Sequence, residues 1–296
     1  MRYQKLSPRQ NLAMTWWNRP GFGDYDGIIC DGSIRSGKTV AMTVGFIMWA
    51  MTRFDGCNFA ICGKTIESLR RNVTSNLPVW LAGVFSLKEH RTENKIVVSA
   101  NGKSNSFYLF GGKDESSAAL IQGITLAGIL LDEVALMPES FVNQATARCS
   151  VEGAKLWFNC NPEGPSHWFY LTWVLEAGKR NMLHLHFTMD DNLSLSAAVK
   201  ARYESLYSGV FYDRFIRGLW VVAEGLIYTM FNKDYHVVPD VPRPYDRYYI
   251  SVDYGTVNPT SMGLWGRASG KWYRIREYYY NSRKVGRQLT DEELSL

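Results

Sequence analysis

The 296-residue sequence predicts an α/β fold, with helices flanking both faces of a mostly parallel central sheet. Three observations carry the prediction. Short apolar runs with the length of buried strands recur at Gly27–Cys30, Asn58–Cys62, Lys95–Ser99, Ser106–Phe110, Gly128–Leu131, Lys155–Asn159 and Met182–Phe187. Helical stretches separate some of them, over Val40–Thr52, Ile66–Leu77 and Pro138–Thr146. The first apolar run leads directly into Gly32-Ser33-Ile34-Arg35-Ser36-Gly37-Lys38-Thr39, which fits G-x-x-x-x-G-K-[ST] at every fixed position and opens a helix. This is the P-loop nucleotide-hydrolase class of α/β fold, of the ASCE type.

The elements follow in order. Val40 to Met51 is mostly apolar and interrupted only by Gly45, as a buried helix would be. Pro78 is expected to end the helix that starts at Ile66, because the residue before a proline is pushed out of the α region. Glu89 to Gly112 predicts a β-hairpin with Asn101-Gly102 as its turn. Leu193 to Tyr207 predicts a helix starting near Asp191 or Asn192. From Gly225 to Asp246 the chain becomes rich in proline and aromatic residues, and an apolar run, Tyr248–Val252, follows. A domain boundary is expected near residue 240, giving an ATPase unit over 1–240 (with a linker or lid from about 190) and a second unit over 241–296.

Composition sets outer limits. Apolar residues make up 46% and charged residues 21%, an ordinary globular balance. No apolar run approaches the roughly 18 residues that span a bilayer, so no membrane partner is expected. The five cysteines lack metal-ligand spacing, which predicts reduced, mostly buried thiols in a cytosolic setting. Net charge is only +5. Between Arg267 and Arg287, however, seven basic residues and one acid, Glu277, are interleaved with Trp272, Tyr273, Tyr278, Tyr279 and Tyr280. That mixture suits a phosphate backbone, and equally a solvated pair of strands.

The chemistry is concentrated in two motifs. In the Gly32–Thr39 loop, successive backbone N–H groups cradle phosphates. Lys38 neutralises the β- and γ-phosphates of ATP, and the Thr39 hydroxyl takes a place on Mg²⁺. Ala127-Gly128-Ile129-Leu130-Leu131-Asp132-Glu133 is an apolar strand ending in two acids, the form of a Walker B strand. Asp132 is expected to hold Mg²⁺ opposite Thr39, and Glu133 to polarise the attacking water.

Further motifs resemble those of the large terminase subunit of tailed bacteriophages, the motor that packages DNA into a procapsid. Ser7-Pro8-Arg9-Gln10 is similar to that family's adenine-contacting segment, with Gln10 matching its glutamine. Phe158-Asn159-Cys160-Asn161-Pro162 looks like its coupling motif, and Asn161 is expected at the nucleotide. Phe187–Asn192, Tyr212–Trp220 (YDRFIRGLW) and Ala223–Tyr228 resemble the end of the ATPase region. The family often places an arginine where Ile34 stands here; Arg35 lies one position later, where it either reaches the γ-phosphate as a finger in cis or turns to solvent or a neighbouring subunit. The resemblance implies double-stranded DNA, a small terminase subunit and the portal protein as partners, a homo-oligomeric ring when docked, and a place in the host cytoplasm.

Tyr249 to Gly255 resembles the first strand of the family's RNase H-like nuclease, with Asp253 as one ligand of its Mg²⁺ or Mn²⁺. Strands over Thr260–Gly266 and Trp272–Tyr280 would continue an antiparallel sheet. Asp291, Glu292 and Glu293 follow Thr290 as a helix start would and are not assigned as ligands. The family's other carboxylates come from strands further on, so the nuclease is expected to be incomplete, whether in a fragment of a longer protein or in a naturally interrupted gene. The alternatives are a non-cleaving assembly or docking module and a helicase-like remodelling ATPase.

Overall fold

The computed structural model describes residues 5–222, 233–239, 241–255 and 259–295. The chain divides into two compact units, Met1–Leu226 and Ile227–Leu296. The resemblance noted over Ala223–Tyr228 falls outside the described residues.

The first unit is built on an eight-stranded sheet. Its strands are β1 (Gly27–Gly32), β2 (Asn58–Gly63), β3 (Ser86–His90), β4 (Lys95–Ala100), β5 (Lys103–Gly111), β6 (Gly128–Asp132), β7 (Lys155–Asn159) and β8 (Met182–Phe187), in the order β3-β4-β5-β2-β6-β7-β1-β8. From β5 to β8 every neighbouring pair is parallel; β3, β4 and β5 pair antiparallel. All seven strands expected from apolar runs are present.

Both faces of the parallel part are covered, and the sequence shows why. On β1, β2, β6 and β7, alternate residues fall into two cores. Ile28, Phe59, Leu130 and Trp157 join one, with Phe46 and Trp49 of helix α2 (Lys38–Arg53). Ile29, Ala60, Leu131 and Phe158 join the other, with Phe141, Phe169 and Trp173. Strands buried on both faces read as continuous apolar runs. Helix α1 (Pro8–Thr15) starts at a capping box in which Ser7 accepts from Gln10 N at 3.1 Å and Gln10 Oε1 accepts from Ser7 N at 3.1 Å. It runs so close to α2 (Lys38–Arg53) that a Cβ on Gly45 would stand 2.6 Å from the Met14 carbonyl oxygen. Only glycine fits there.

Three expectations need correction, and one strand was not foreseen. The helix begun at Ile66 stops early: α3 covers Ile66–Asn72, a 3₁₀ turn covers Thr74–Asn76, and α4 covers Leu77–Trp80 with Pro78 in its first turn. Pro78 therefore starts a helix, where a missing N–H costs nothing. Strand β3 was not expected, because Ser86-Leu87-Lys88-Glu89-His90 is a mostly polar edge. Helix α5 spans Glu139–Thr146, with Pro138 outside it in an extended conformation. Helix α6 begins at Ala197, not near Asn192. Ser196 caps it, accepting from Val199 N, while Asp191 accepts from Thr188 N and closes a separate 3₁₀ turn, Met189–Asp191. The hairpin turn forms at Asn101-Gly102, both at positive φ (51° and 81°), between paired Ala100 and Lys103.

The second unit contains β9 (Arg247–Asp253), β10 (Thr260–Ala268) and β11 (Lys271–Tyr280), an antiparallel sheet in the order β11-β10-β9. Every residue of β9 is exposed.

Candidate functional site

The nucleotide motifs converge because of strand order. β7 lies between β1 and β6, so the ends of three adjacent parallel strands deliver the Gly32–Thr39 loop, Asn159 and Asp132-Glu133 to one edge of the sheet. There they border a cavity of about 310 Å³ whose lining includes Arg35, Lys38, Thr39, Glu133, Asn159 and Asn161. The N-terminus of α2 opens onto it, and unpaired backbone N–H groups at such an end favour an anion.

Lys38 is buried, and burial pushes its pKa down to about 8 against the pull of neighbouring negative groups. Its Nζ donates to Gly32 O at 3.1 Å, Ser33 O at 2.7 Å, Ser36 Oγ at 3.2 Å and Asn161 Oδ1 at 3.2 Å. Thr39 Oγ1 donates to Asp132 Oδ1 at 3.3 Å. The side chain that joins them is Asn159: its Nδ2 donates to Thr39 Oγ1 at 3.0 Å and to Asp132 Oδ1, and its buried Oδ1 has no partner. Burial raises the Asp132 pKa to about 6, with the Asn159 hydrogen bond opposing the rise. Glu133 sits half-buried at φ 59°, a left-handed conformation costly to a side-chain-bearing residue, and lines the cavity.

Other expected residues are placed differently. Gln10 is buried behind the loop, not in the lining. Its Nε2 donates to Ser36 O at 3.1 Å and its Oε1 is held by Ser7. Ser33 and Ile34 give their backbone N–H groups to Phe187 O and Phe215 O, both at 2.9 Å, and Gly32 lies beneath them at the end of β1. Arg35 is exposed at φ 58°; its Nε donates to Tyr203 Oη at 2.9 Å, its guanidinium lies over the Tyr203 ring, and its carbonyl accepts from Asn192. Asp253 ends β9 in the second unit, exposed. Among the described residues, no group of three or more His, Cys, Asp or Glu stands together as metal ligands. In that unit Trp272 packs against Tyr249 and Arg274 pairs with Glu277.

Sequence reasoning missed a cluster beneath the loop. Asp31, next to Gly32, is buried. It accepts from His184 Nε2 at 2.9 Å, His186 Nδ1 at 3.1 Å and Trp220 Nε1 at 2.6 Å. Burial alone would raise its pKa, but these three donors together hold it well below the usual carboxylate range; Asp31 in turn raises the pKa of His186.

The family model for "Terminase large subunit, T4likevirus-type, N-terminal" matches residues 29–233, more than half of the chain. This chain belongs to the terminase large subunits. The large terminase of a thermophilic bacteriophage is 59% identical, with a TM-score of 0.73 over 99% of this chain and 72% of that one. The same thermophilic-phage terminase has also been solved with ADP (58% identity, TM-score 0.73, 98% and 72% covered) and with ATP-γ-S (57%, 0.71, 98% and 72%). No curated protein matches the chain. Among the described residues of this terminase, no helix is long and apolar enough to cross a membrane.

Proposed function

We propose that this terminase chain hydrolyses ATP in the cavity under the Gly32–Thr39 loop and uses the energy to translocate double-stranded DNA into a procapsid. The observation that carries the reading is Asn159, whose amide ties the Walker A threonine to the Walker B aspartate at the wall of a cavity that also presents Lys38 and Glu133. The complexes of the thermophilic-phage terminase with ADP and ATP-γ-S support nucleotide as the ligand.

In this reading the loop N–H groups and Lys38 bind the polyphosphate. Lys38 exchanges its bonds to Gly32 O, Ser33 O and Asn161 for phosphate oxygens, so its charge meets the β- and γ-phosphates inside a poorly hydrated site. Thr39 and Asp132, neighbours at 3.3 Å with the orphaned Asn159 Oδ1 beside them, are the hard oxygen donors that suit Mg²⁺. Bound there, Mg²⁺ would neutralise developing phosphate charge. Glu133 holds the attacking water and accepts its proton. Arg35 reaches the γ-phosphate after leaving Tyr203, in its own cavity or a neighbour's.

The family reading extends to a ring of copies on the portal, recruitment by a small terminase subunit, a host-cytoplasmic setting, and a division into an ATPase unit over 1–240 and the start of a metal-dependent nuclease over 241–296. Asp253 at the end of β9 is that nuclease's first ligand.

Glu133→Gln tests the core of the reading. The variant should bind ADP as the wild type does and lose at least about a hundredfold in turnover. Normal hydrolysis by Glu133→Gln would overturn the assignment. Incubation with plasmid DNA and Mn²⁺ tests the second unit: Asp253 alone does not make a two-metal site, so the plasmid should stay intact, and cleavage that disappears in Asp253→Ala would overturn that expectation.

A further inference from the structure

Residues Tyr212–Trp220 touch the nucleotide machinery from behind at every level. Phe215 O accepts from Ile34 N in the P-loop at 2.9 Å. Gly218, at φ +71°, lies so tightly against the loop that a Cβ there would stand 2.5 Å from Ser33 N. Trp220 donates to Asp31 and stacks on Tyr170, with ring centroids 4.9 Å apart. Arg214 turns the other way, toward the coupling motif. It is buried, its Nε donates to Pro162 O at 3.2 Å, and its guanidinium pairs with the Glu163 carboxylate.

One covalent segment thus grips two loops that meet at Lys38. Asn161 accepts from Lys38 Nζ; the next two residues, Pro162 and Glu163, are held by Arg214; and the residue after Arg214 is bonded to Ile34. The grip is built into a π-helical turn, Tyr212–Ile216, a geometry that often marks functional sites. Apolar side chains at both positions would cost little in stability, since burying an ion pair gains little, whereas removing Arg214 alone strands the Glu163 carboxylate and the Pro162 carbonyl. A guanidinium fork instead fixes the position of two acceptors at once.

We propose that Arg214 is a positioning residue that transmits the nucleotide state from Asn161 to the strap Tyr212–Trp220. The inference rests on the reading that the cavity binds ATP. When Lys38 leaves Asn161 for the phosphates, the 161–163 loop is released from the lysine but not from Arg214. The strap therefore follows that loop, and it carries the movement away from the site toward the segment that follows Trp220.

The test compares the 296-residue chain with Arg214→Met and Glu163→Gln, the latter a milder change that keeps the Arg214–Pro162 bond. ATP-γ-S affinity, steady-state hydrolysis, and backbone hydrogen exchange over residues 208–222 with and without ATP-γ-S are read for each. Expected are affinities within about threefold of wild type, kcat lowered about 3- to 30-fold with little change in KM, and loss of the ATP-γ-S-dependent exchange change over the strap. A folded variant with wild-type kcat, or with a strap that still answers ATP-γ-S as the wild type does, would overturn the inference alone. A wild-type chain that fails to bind ATP-γ-S would overturn the reading of the site, and the inference with it.

Discussion

Gly218→Ala probes the packing of the strap on the P-loop, and its cost can be worked from two separate contributions. At φ +71° an L-residue pays for the left-handed region, about 1–2 kcal/mol. The new Cβ would also stand 2.5 Å from Ser33 N and 2.7 Å from both Gly32 Cα and Gly32 C. All three are backbone atoms of the phosphate loop, which cannot swing aside as a side chain would. Overpacking of this kind adds about 1–3 kcal/mol. Gly21 supplies the control: its φ is +78°, but nothing lies within 4 Å of a Cβ there. Gly21→Ala should therefore show the conformational cost alone. For a unit of this size each kcal/mol lowers Tm by about 2–4 °C, which gives a fall of about 2–8 °C for Gly21→Ala and about 4–20 °C for Gly218→Ala. Thermal melts followed by tryptophan fluorescence measure both. ATP turnover should fall in Gly218→Ala only, because relief of the clash pushes the loop or the strap out of place. Equal Tm losses in the two variants, with normal turnover in Gly218→Ala, would refute the packing argument.

Three other outcomes are expected. Asn159→Ala removes the amide between Thr39 and Asp132, and a hydrogen bond to a charged group contributes about 1.5–3 kcal/mol, so kcat/KM for Mg²⁺-ATP should drop about 10- to 100-fold in a steady-state assay. Because burial lowers the Lys38 pKa to about 8, ADP affinity measured by calorimetry should weaken as pH rises above 8, and binding there should take up a proton from buffer; affinity flat to pH 10 would contradict the assignment. The Asp31 cluster should stabilise the first unit in a window: the contribution of Asp31, whose pKa is depressed, is present above its unfolded value of 3.8 and lost as pH falls below it. That of His186, whose pKa is raised, is present below 6.5 and lost as pH climbs through the raised value. His186→Gln should flatten the alkaline side of a Tm–pH curve and, with His184 and Trp220 still donating to Asp31, keep most but not all of the acid side.

What was legible in the sequence was local. The Gly32–Thr39 loop and Asp132-Glu133 are contiguous, each ends a buried strand, and their side chains meet at the cavity. Asn159 lies in the segment that resembles the coupling motif, yet that resemblance points to Asn161. The missing fact was register: Asn159 pairs across the sheet with both Asp132 and Cys30, which follows only once β7 is known to lie between β6 and β1. Asp31 was harder still, since its partners are 153, 155 and 189 residues away. Its neighbour, the β8 strand, carries His184 and His186 on one face by simple alternation, but nothing in one sequence says which buried acid they face. Polar β3 was invisible because edge strands have no apolar face to advertise.

Arg35 and Lys38 point to a common feature of the loop. Each cation is held by the protein's own groups: Lys38 by two loop carbonyls, Ser36 and Asn161, and Arg35 by Tyr203 of α6. A ligand that displaces these bonds must present several strong acceptors within the reach of one ammonium, since a buried lysine left unsatisfied is costly. A polyphosphate, with several charged oxygens within reach of one ammonium, meets that demand. The two cations differ in what their release would disturb. Lys38 lets go of the coupling motif, which Arg214 ties to the strap, whereas Arg35 lets go of Tyr203 on α6, a helix outside the sheet. In the proposed cycle, occupancy of the cavity therefore acts on two elements through two separate side chains. Within the loop, Ile34 gives its backbone N–H to Phe215 in the strap, and Arg35, at positive φ, is turned toward Tyr203 of α6.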